Sequence, residues 1–363
     1  MSGLEQRWEV LRARIPAEVR TRVLAGAQLV RLPANVPPWT DIGIRVAKGD
    51  ELTILAEGRV IVSADAGLDA RPRYALWARL GGRGPVWTGT RDTQSFRCDR
   101  EGALELAIYN GEWKSPDGVL GTPIEAYEGL SGGIEALVLH WRGEARDGLA
   151  ALHRAAPGEP LVEAELARMA NPAVPPAGWS YLWFLGQSET FRTLRPPDSR
   201  PCIACVTDDD VAILRRPVSL ALGPDTEVSW RWRVALLPSS RPEDTLLCHD
   251  YLSVAVEFEN GRDLSWYWSS ALPTETHFAC PIPQWNSRET HLVVRSGAEG
   301  LGLWQSERRN VFADYVRAIG EPPARIVAVW LIAVSLFQHG RGEAEFTDIA
   351  LTSAGERVEL VGK

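Results

Sequence analysis

The sequence predicts a mainly β protein: two β-sandwich domains, of jelly-roll type, joined by a short helical connector. Three observations carry this expectation. Short stretches rich in β-branched and aromatic residues recur in both halves, separated by Gly, Asp and Pro turn signals. The chain has 363 residues, more than one small hydrophobic core usually serves. An Ala-rich run of helical spacing at 143–170 ends in "NPAVPPAG" at 171–178, which cannot continue a helix and reads as a linker.

In order, residues 1–30 form an N-terminal helical segment. "MSGLEQRWEVLRARIPAEVR" places Leu4, Trp8, Leu11 and Ile15 on one stripe, and Pro16 permits a second short helix ending near Gly26. The first sandwich, 31–142, follows "LPANVPPWTDIG" with strands expected at 44–63, 73–82, 103–111 and 134–141. Residues 143–177 form the connector, "ARDGLAALHRAA" and "PLVEAELARMA", with Pro160 suited to a first helical turn. The second sandwich, 178–363, has strand-like pieces at 179–186, 201–207, 217–222, 227–237, 251–259, 264–270, 290–297, 324–337 and 344–353. It also contains one helix at 305–320, whose buried stripe is Val311, Phe312, Tyr315 and Ile319.

Charge and composition exclude several functions. Lys and Arg number 39 against 47 Asp and Glu, a net −8, so no global basic field gathers nucleic acid or anionic lipid. The most apolar window, "IVAVWLIAVSLF" at 326–337, is too short for a membrane span and suits a buried strand. No classical export signal opens the chain, and five cysteines, an odd number, read as reduced thiols of a cytoplasmic protein. There is no Walker loop, dinucleotide fingerprint or G-x-S-x-G elbow, so no cofactor is expected. "CIAC" at 202–205, "HFAC" at 277–280 and Cys248-His249 have ligand-like spacing. A strand, however, sends Cys202 and Cys205 to opposite faces, so buried thiols and no metal are expected.

Tryptophan is the unusual feature, 15 residues against two methionines. In "VSWRWRV" (228–234) Trp230 and Trp232 share one face and Arg231 and Arg233 the other, which places the tryptophans in a core. In "LSWYWSS" (264–270) Trp266 and Trp268 oppose Tyr267, so one set is expected to line a cleft. "HDYLSVAVEFE" (249–259) puts His249, Tyr251, Ser253, Ala255 and Glu257 on a common face, and Asn260-Gly261 is a hairpin signal. Pairing about that turn would bring Glu257 near Tyr267, with Arg231 and Arg233 on a flanking strand. A carboxylate, a phenol and a guanidinium on an aromatic floor could move a proton and steady an oxyanion. Glu257, Tyr267, Arg231 and His249 are therefore the catalytic candidates, and Trp266, Trp268, Tyr251 and Arg233 the ligand-binding ones. A solvated polar face is the alternative.

"VPPWTDIGIRVAKGDELTILAEGRV" with "LELAIYNGEW" resembles the LecA-like galactose-binding lectins over 36–141. The resemblance implies that the loop after the "IYN" strand binds ligand, which makes Asn110 and Glu112 candidates. With Asp117 they leave fewer than the six to eight oxygens that calcium takes. "GWSYLWF", "VSWRWRV", "YLSVAVEFENGRDLSWYW" and "IVAVWLIA" are similar to the DUF3047 family over most of 178–360. That similarity implies a sandwich related to carbohydrate-binding modules, with no assigned reaction. The expected function is a cofactor-independent enzyme using acid/base chemistry on a small organic or sugar-like substrate, as cyclase, lyase, isomerase or hydrolase. The alternatives are a non-catalytic carbohydrate-binding protein with two lectin-like sandwiches and an assembly component. The expected partner is a small-molecule or sugar-like ligand, with no nucleic acid and no membrane; a homo-oligomer is left open.

Overall fold

The computed structural model describes residues 3–36, 38–87, 91–195 and 200–361. The chain divides into two compact units, Met1–Pro172 and Ala173–Lys363. No helix among the described residues is long and apolar enough to cross a membrane.

In the first unit, helix Gly3–Arg14 buries Leu4, Trp8 and Leu11 along the predicted stripe. A short helix, Ala17–Val23, follows and stops earlier than expected. Residues 24–30, read as the end of the helical segment, belong instead to strand β1 (Leu24–Pro33). Its pairing with a later strand, Leu29 opposite Leu137, decides the conformation of a segment whose Ala-Gly-Ala start has little preference of its own. Then come β2 (Trp39–Val46), β3 (Glu51–Ser63), β4 (Leu68–Ala70), β5 (Leu76–Leu80), β6 (Thr93–Arg97), β7 (Gly102–Ile108) and β8 (Ser131–Trp141). They form one sheet in the order β1-β8-β3-β4, with β6 also on β3, and a second in the order β2-β7-β5.

The two helices of the expected connector, Ala145–Ala155 and Pro160–Ala170, are part of this unit's core. Ala145, Leu149, Leu152 and Ala156 recur at helical spacing and pack with Leu55, Leu139 and Trp141 of the sheet and with Trp8. Their apolar stripe needs a surface to cover, and the β3–β8 face supplies it.

The second unit contains β9 (Ser180–Tyr181), β10 (Phe191–Leu194), β11 (Cys202–Asp208), β12 (Val211–Ala221), β13 (Glu227–Leu236), β14 (Tyr251–Phe258), β15 (Asp263–Ser269), β16 (His277–Ala279), β17 (Glu289–Ser296), β18 (Gln305–Asn310), β19 (Arg325–Val334), β20 (Arg341–Ser353) and β21 (Glu356–Glu359). A seven-stranded sheet runs β16-β17-β15-β14-β19-β12-β9, and a smaller one runs β10-β11-β20-β13-β18, with β21 on β20. Their facing sides share one apolar core: Val254, Val256, Trp266, Trp268 and Leu331 meet Trp230, Trp232, Phe346 and Leu351. The tryptophans meet in pairs across it, Trp230 with Trp266 at 6.0 Å and Trp232 with Trp268 at 5.8 Å between ring centroids. This is a β-sandwich, antiparallel except where β15 and β17 run parallel. The helix expected over 305–320 is shorter, Val311–Ala318, because residues 305–310 pair with β13 as an edge strand. The Asn310 side chain then caps the helix by accepting from the Ala313 N–H at 2.7 Å.

Candidate functional site

Strand alternation divides β14 and β15 between two surroundings. Val254, Val256, Trp266 and Trp268 enter the sandwich core. Tyr251, Ser253, Ala255 and Glu257, with Asp263, Ser265, Tyr267 and Ser269, lie on the outer face of the seven-stranded sheet. That face is covered: Leu182, Phe184, Leu272, Phe278, Trp285 and Phe337 pack over Tyr251, Tyr267, Val293 and Trp330. An open aromatic cleft was expected here; instead a polar layer is sealed between sheet and covering segments, and His249, Ser253, Asp263, Ser265, Tyr267 and His291 are all 0% exposed.

The predicted catalytic set does not assemble. Register places Ser253 opposite Tyr267 and Glu257 opposite Asp263, so Glu257 and Tyr267 are separated by about 13 Å along the strands. The Glu257 carboxylate accepts from Arg215 Nε at 2.8 Å and Trp330 Nε1 at 3.1 Å. Burial pushes the Tyr267 phenol well above its ordinary range, with the Glu243 charge adding to it. Arg231 and Arg233 alternate with the core tryptophans of β13 and therefore project from the far side of the smaller sheet. There Arg231 lies 3.7 Å from Asp348 and Arg233 2.6 Å from Glu345, both near the Trp304 ring. The whole sandwich core separates them from Tyr267.

Trp266 and Trp268 offer no ligand floor. Both are buried, and their indole N–H groups donate to Asp314 Oδ2 and to the Gly297 carbonyl, each at 2.9 Å. His249 and Tyr251 do sit on the covered face. In the first unit, Asn110 is tied down internally, its side-chain amide donating to the Ala126 carbonyl at 3.0 Å. The Glu112 N–H donates to Thr122 Oγ1 at 2.9 Å, next to Trp113, which stacks on Trp39.

At one end of the covered face, register aligns Glu257, Asp263 and Glu289 across β14, β15 and β17. Neither Asp263 oxygen has a hydrogen-bond partner, and burial together with the Glu289 charge holds this carboxyl well above its usual range. Above it is half-buried Arg288, whose Nε is likewise unpartnered. The Arg288 guanidinium lies 4.6 Å from the Trp285 ring centroid, 5.9 Å from Trp330 and 6.0 Å from Phe184. Phe184 also contacts Trp183, which is 42% exposed. A fully buried carboxyl and a half-buried guanidinium thus lie within electrostatic reach of each other, the guanidinium against aromatic rings that lead out to the exposed Trp183. Sequence reasoning missed Asp263, Arg288 and Trp285, because their meeting depends on the parallel β15–β17 register, for which no local signal exists.

Glu289 also borders a second group: donor atoms of His249, Cys280, Glu289 and His291 lie within 4.8 Å of one another, all four residues buried, and could share a metal ion. His249 Nδ1 is 2.7 Å from the Glu243 carbonyl, and its Nε2 is 3.3 Å from Cys280 Sγ. His291 Nε2 is 3.6 Å from Glu289 Oε2, and neither of its ring nitrogens has a hydrogen-bond partner. Glu289 Oε1 accepts from the Tyr251 hydroxyl at 2.9 Å. Burial and the neighbouring His291 push His249 down to about 3, so its ring is neutral. Cys202 and Cys205 stay outside this cluster, as their opposed directions required. The donors come instead from Cys280, from His249, and from the Glu-x-His alternation of β17, a pattern that sequence reasoning did not take up.

No curated protein matches the chain. Among solved structures, the N-terminal domain of EclA, a PllA-like lectin, is 17% identical with a TM-score of 0.27, over 33% of this chain and 98% of that one. The xyloglucanase domain of NopAA, a type three effector from Sinorhizobium fredii in complex with cellobiose, is 10% identical with a TM-score of 0.29, over 50% of this chain and 94% of that one. Residues 177–350, within the second unit, match the family described as protein of unknown function (DUF3047).

Proposed function

We propose that the second unit recognises a small hydroxylated, sugar-like ligand where Asp263, Arg288 and the Trp183, Phe184 and Trp285 rings meet. The carrying observation is Asp263: a carboxyl 0% exposed with both oxygens unpartnered, below a guanidinium whose Nε is also unpartnered. Each such group left bare costs on the order of 1–3 kcal/mol. A ligand hydroxyl can donate to the carboxyl and accept from the guanidinium at once, while the C–H face of a sugar ring lies on Trp285. Binding of soluble mono- and disaccharides, followed calorimetrically, tests this. Asp263→Asn and Trp285→Ala are expected to weaken binding at least about 10-fold, the loss of one good polar or stacking contact, whereas Arg233→Ala on the opposite sheet binds as the parent does. Equal binding by Asp263→Asn would overturn the assignment.

An acid/base enzyme at the same place is the second reading, favoured by one observation. Glu257 and Asp263 are direct cross-strand neighbours, so their Cβ atoms are about 4.5–5.5 Å apart. Incubation with an extract of source cells separates the two readings. A metabolite consumed by the parent and spared by Glu257→Gln identifies an enzyme; one retained without chemical change identifies recognition alone.

A further inference from the structure

The geometry points to a second site, independent of the sugar-like reading: we propose that His249, Cys280, Glu289 and His291 bind one zinc-type divalent cation in a closed site that fastens the covering segments onto the seven-stranded sheet. Two of the donor separations already match a tetrahedral site. Ligands bonded at about 2.0–2.3 Å in a tetrahedron lie roughly 3.3–3.8 Å from one another. His249 Nε2 to Cys280 Sγ is 3.3 Å, and His291 Nε2 to Glu289 Oε2 is 3.6 Å.

The surroundings of the ligands fit as well. A metal-binding imidazole ordinarily donates its other ring N–H to a carbonyl or carboxylate, which fixes the tautomer and the ring. His249 Nδ1 meets the Glu243 carbonyl in this way, leaving the Nε2 lone pair directed at the cluster. The Tyr251 hydroxyl holds one Glu289 oxygen and leaves the other facing His291. His291 is 0% exposed with both nitrogens unpartnered. A histidine serving only to fill space would leave a donor and an acceptor bare in the interior, at roughly 1–3 kcal/mol each.

Donor chemistry selects the ion. One thiolate, two imidazoles and one carboxylate suit zinc and its neighbours, whereas calcium and magnesium require oxygen ligands. Four buried protein donors leave no open position, the mark of a structural site as opposed to a catalytic one. The ligands also come from three separate stretches: residue 249 just before β14, residue 280 just after β16, and residues 289 and 291 in β17. One ion therefore joins the segment leading into β14, the β16–β17 connection and the sheet. On binding, the Cys280 thiol gives its proton to solvent and coordinates as thiolate.

Full-length protein, prepared without chelator, tests the site by elemental analysis and by stripping and reconstitution with zinc or cobalt. The expected result is one zinc per chain, a raised melting temperature on reconstitution and a thiolate-to-cobalt charge-transfer band. Cys280→Ser should abolish the band, whereas Cys202→Ser, at a buried thiol outside the cluster, should retain it. If Cys280→Ser fails to fold, Tyr251→Phe gives the same information: loss of an outer hydrogen bond should lower metal affinity about 10-fold or more. A reconstituted parent that keeps no ion and melts unchanged would overturn the proposal, as would a band that survives Cys280→Ser. None of these measurements involves a sugar, so this assignment and the ligand assignment stand or fall separately.

Discussion

Trp268 and Trp285 show how differently two rings of one type serve the same sheet. Trp268 is 1% exposed, bonded to the Gly297 carbonyl and packed on Trp232. Trp285 is half-buried on the outer face, 6.5 Å from Trp330 and stacked by Arg288. Trp268→Ala is expected to destabilise by about 3–5 kcal/mol, the cost of deleting a large ring from a packed core. Trp285→Ala should cost under about 2 kcal/mol, in keeping with its partial exposure. Urea unfolding of the two variants checks both; equal losses would mean that the outer ring is as structural as the inner one. Alternation in "LSWYWSS" was enough to put Trp266 and Trp268 opposite Tyr267. It could not say which side meets a second sheet, because both sides of this sheet are covered and large rings are buried on each. Asp263 and His291 carry the same lesson, since their significance rests on partners that they lack, which no residue pattern displays.

Elements were legible where local signals set them. The β14–β15 hairpin follows from alternation plus Asn260-Gly261, and Gly261 adopts φ +76°, a region glycine enters freely. Its register was not legible, and register is what separates Glu257 from Tyr267. The 305–320 segment was half legible: Val311 and Tyr315 are buried as the stripe requires, but β13 claims residues 305–310. An ion network holds this helix. Arg309 and Arg317 both bind Glu275 and Asp314, and Asp314 accepts from the Trp266 indole. The hydrogen bond from Arg309, then that from Arg317, lowers Glu275 from 4.5 to about 2. A carboxylate lowered on folding stabilises the protein above its unfolded value and loses that contribution as pH falls through the folded one. Glu275→Gln should therefore melt below the parent at pH 7, by under about 1 kcal/mol because the pair is half exposed. The two melting curves should converge between pH 4.5 and about 2. A gap that stays constant through that window would remove the ion pair as its cause.

At the scale of the whole molecule, length and the Pro-rich stretch at 171–178 were enough to expect two cores, whereas the allegiance of the helices before it was not legible. An amphipathic stripe says that a helix covers something; only the exposed face of the first unit's sheet says what. Each core is built from its own unit's residues: Leu4, Trp8, Leu149 and Trp141 in one, Trp230, Trp266, Leu331 and Phe346 in the other. The donor cluster lies wholly in the second unit. Two cores of separate composition should unfold separately, and an ion held by native ligands stabilises only the unit that holds it. Calorimetry of the full chain is therefore expected to show two transitions, of which zinc raises and a chelator lowers only one. Residues 173–363 expressed alone should reproduce the metal-sensitive transition, and residues 1–172 the indifferent one. A single transition in the full chain, or a 173–363 fragment that does not fold, would show that the units depend on each other. A fragment that folds and ignores zinc would leave the two cores standing and remove the ion.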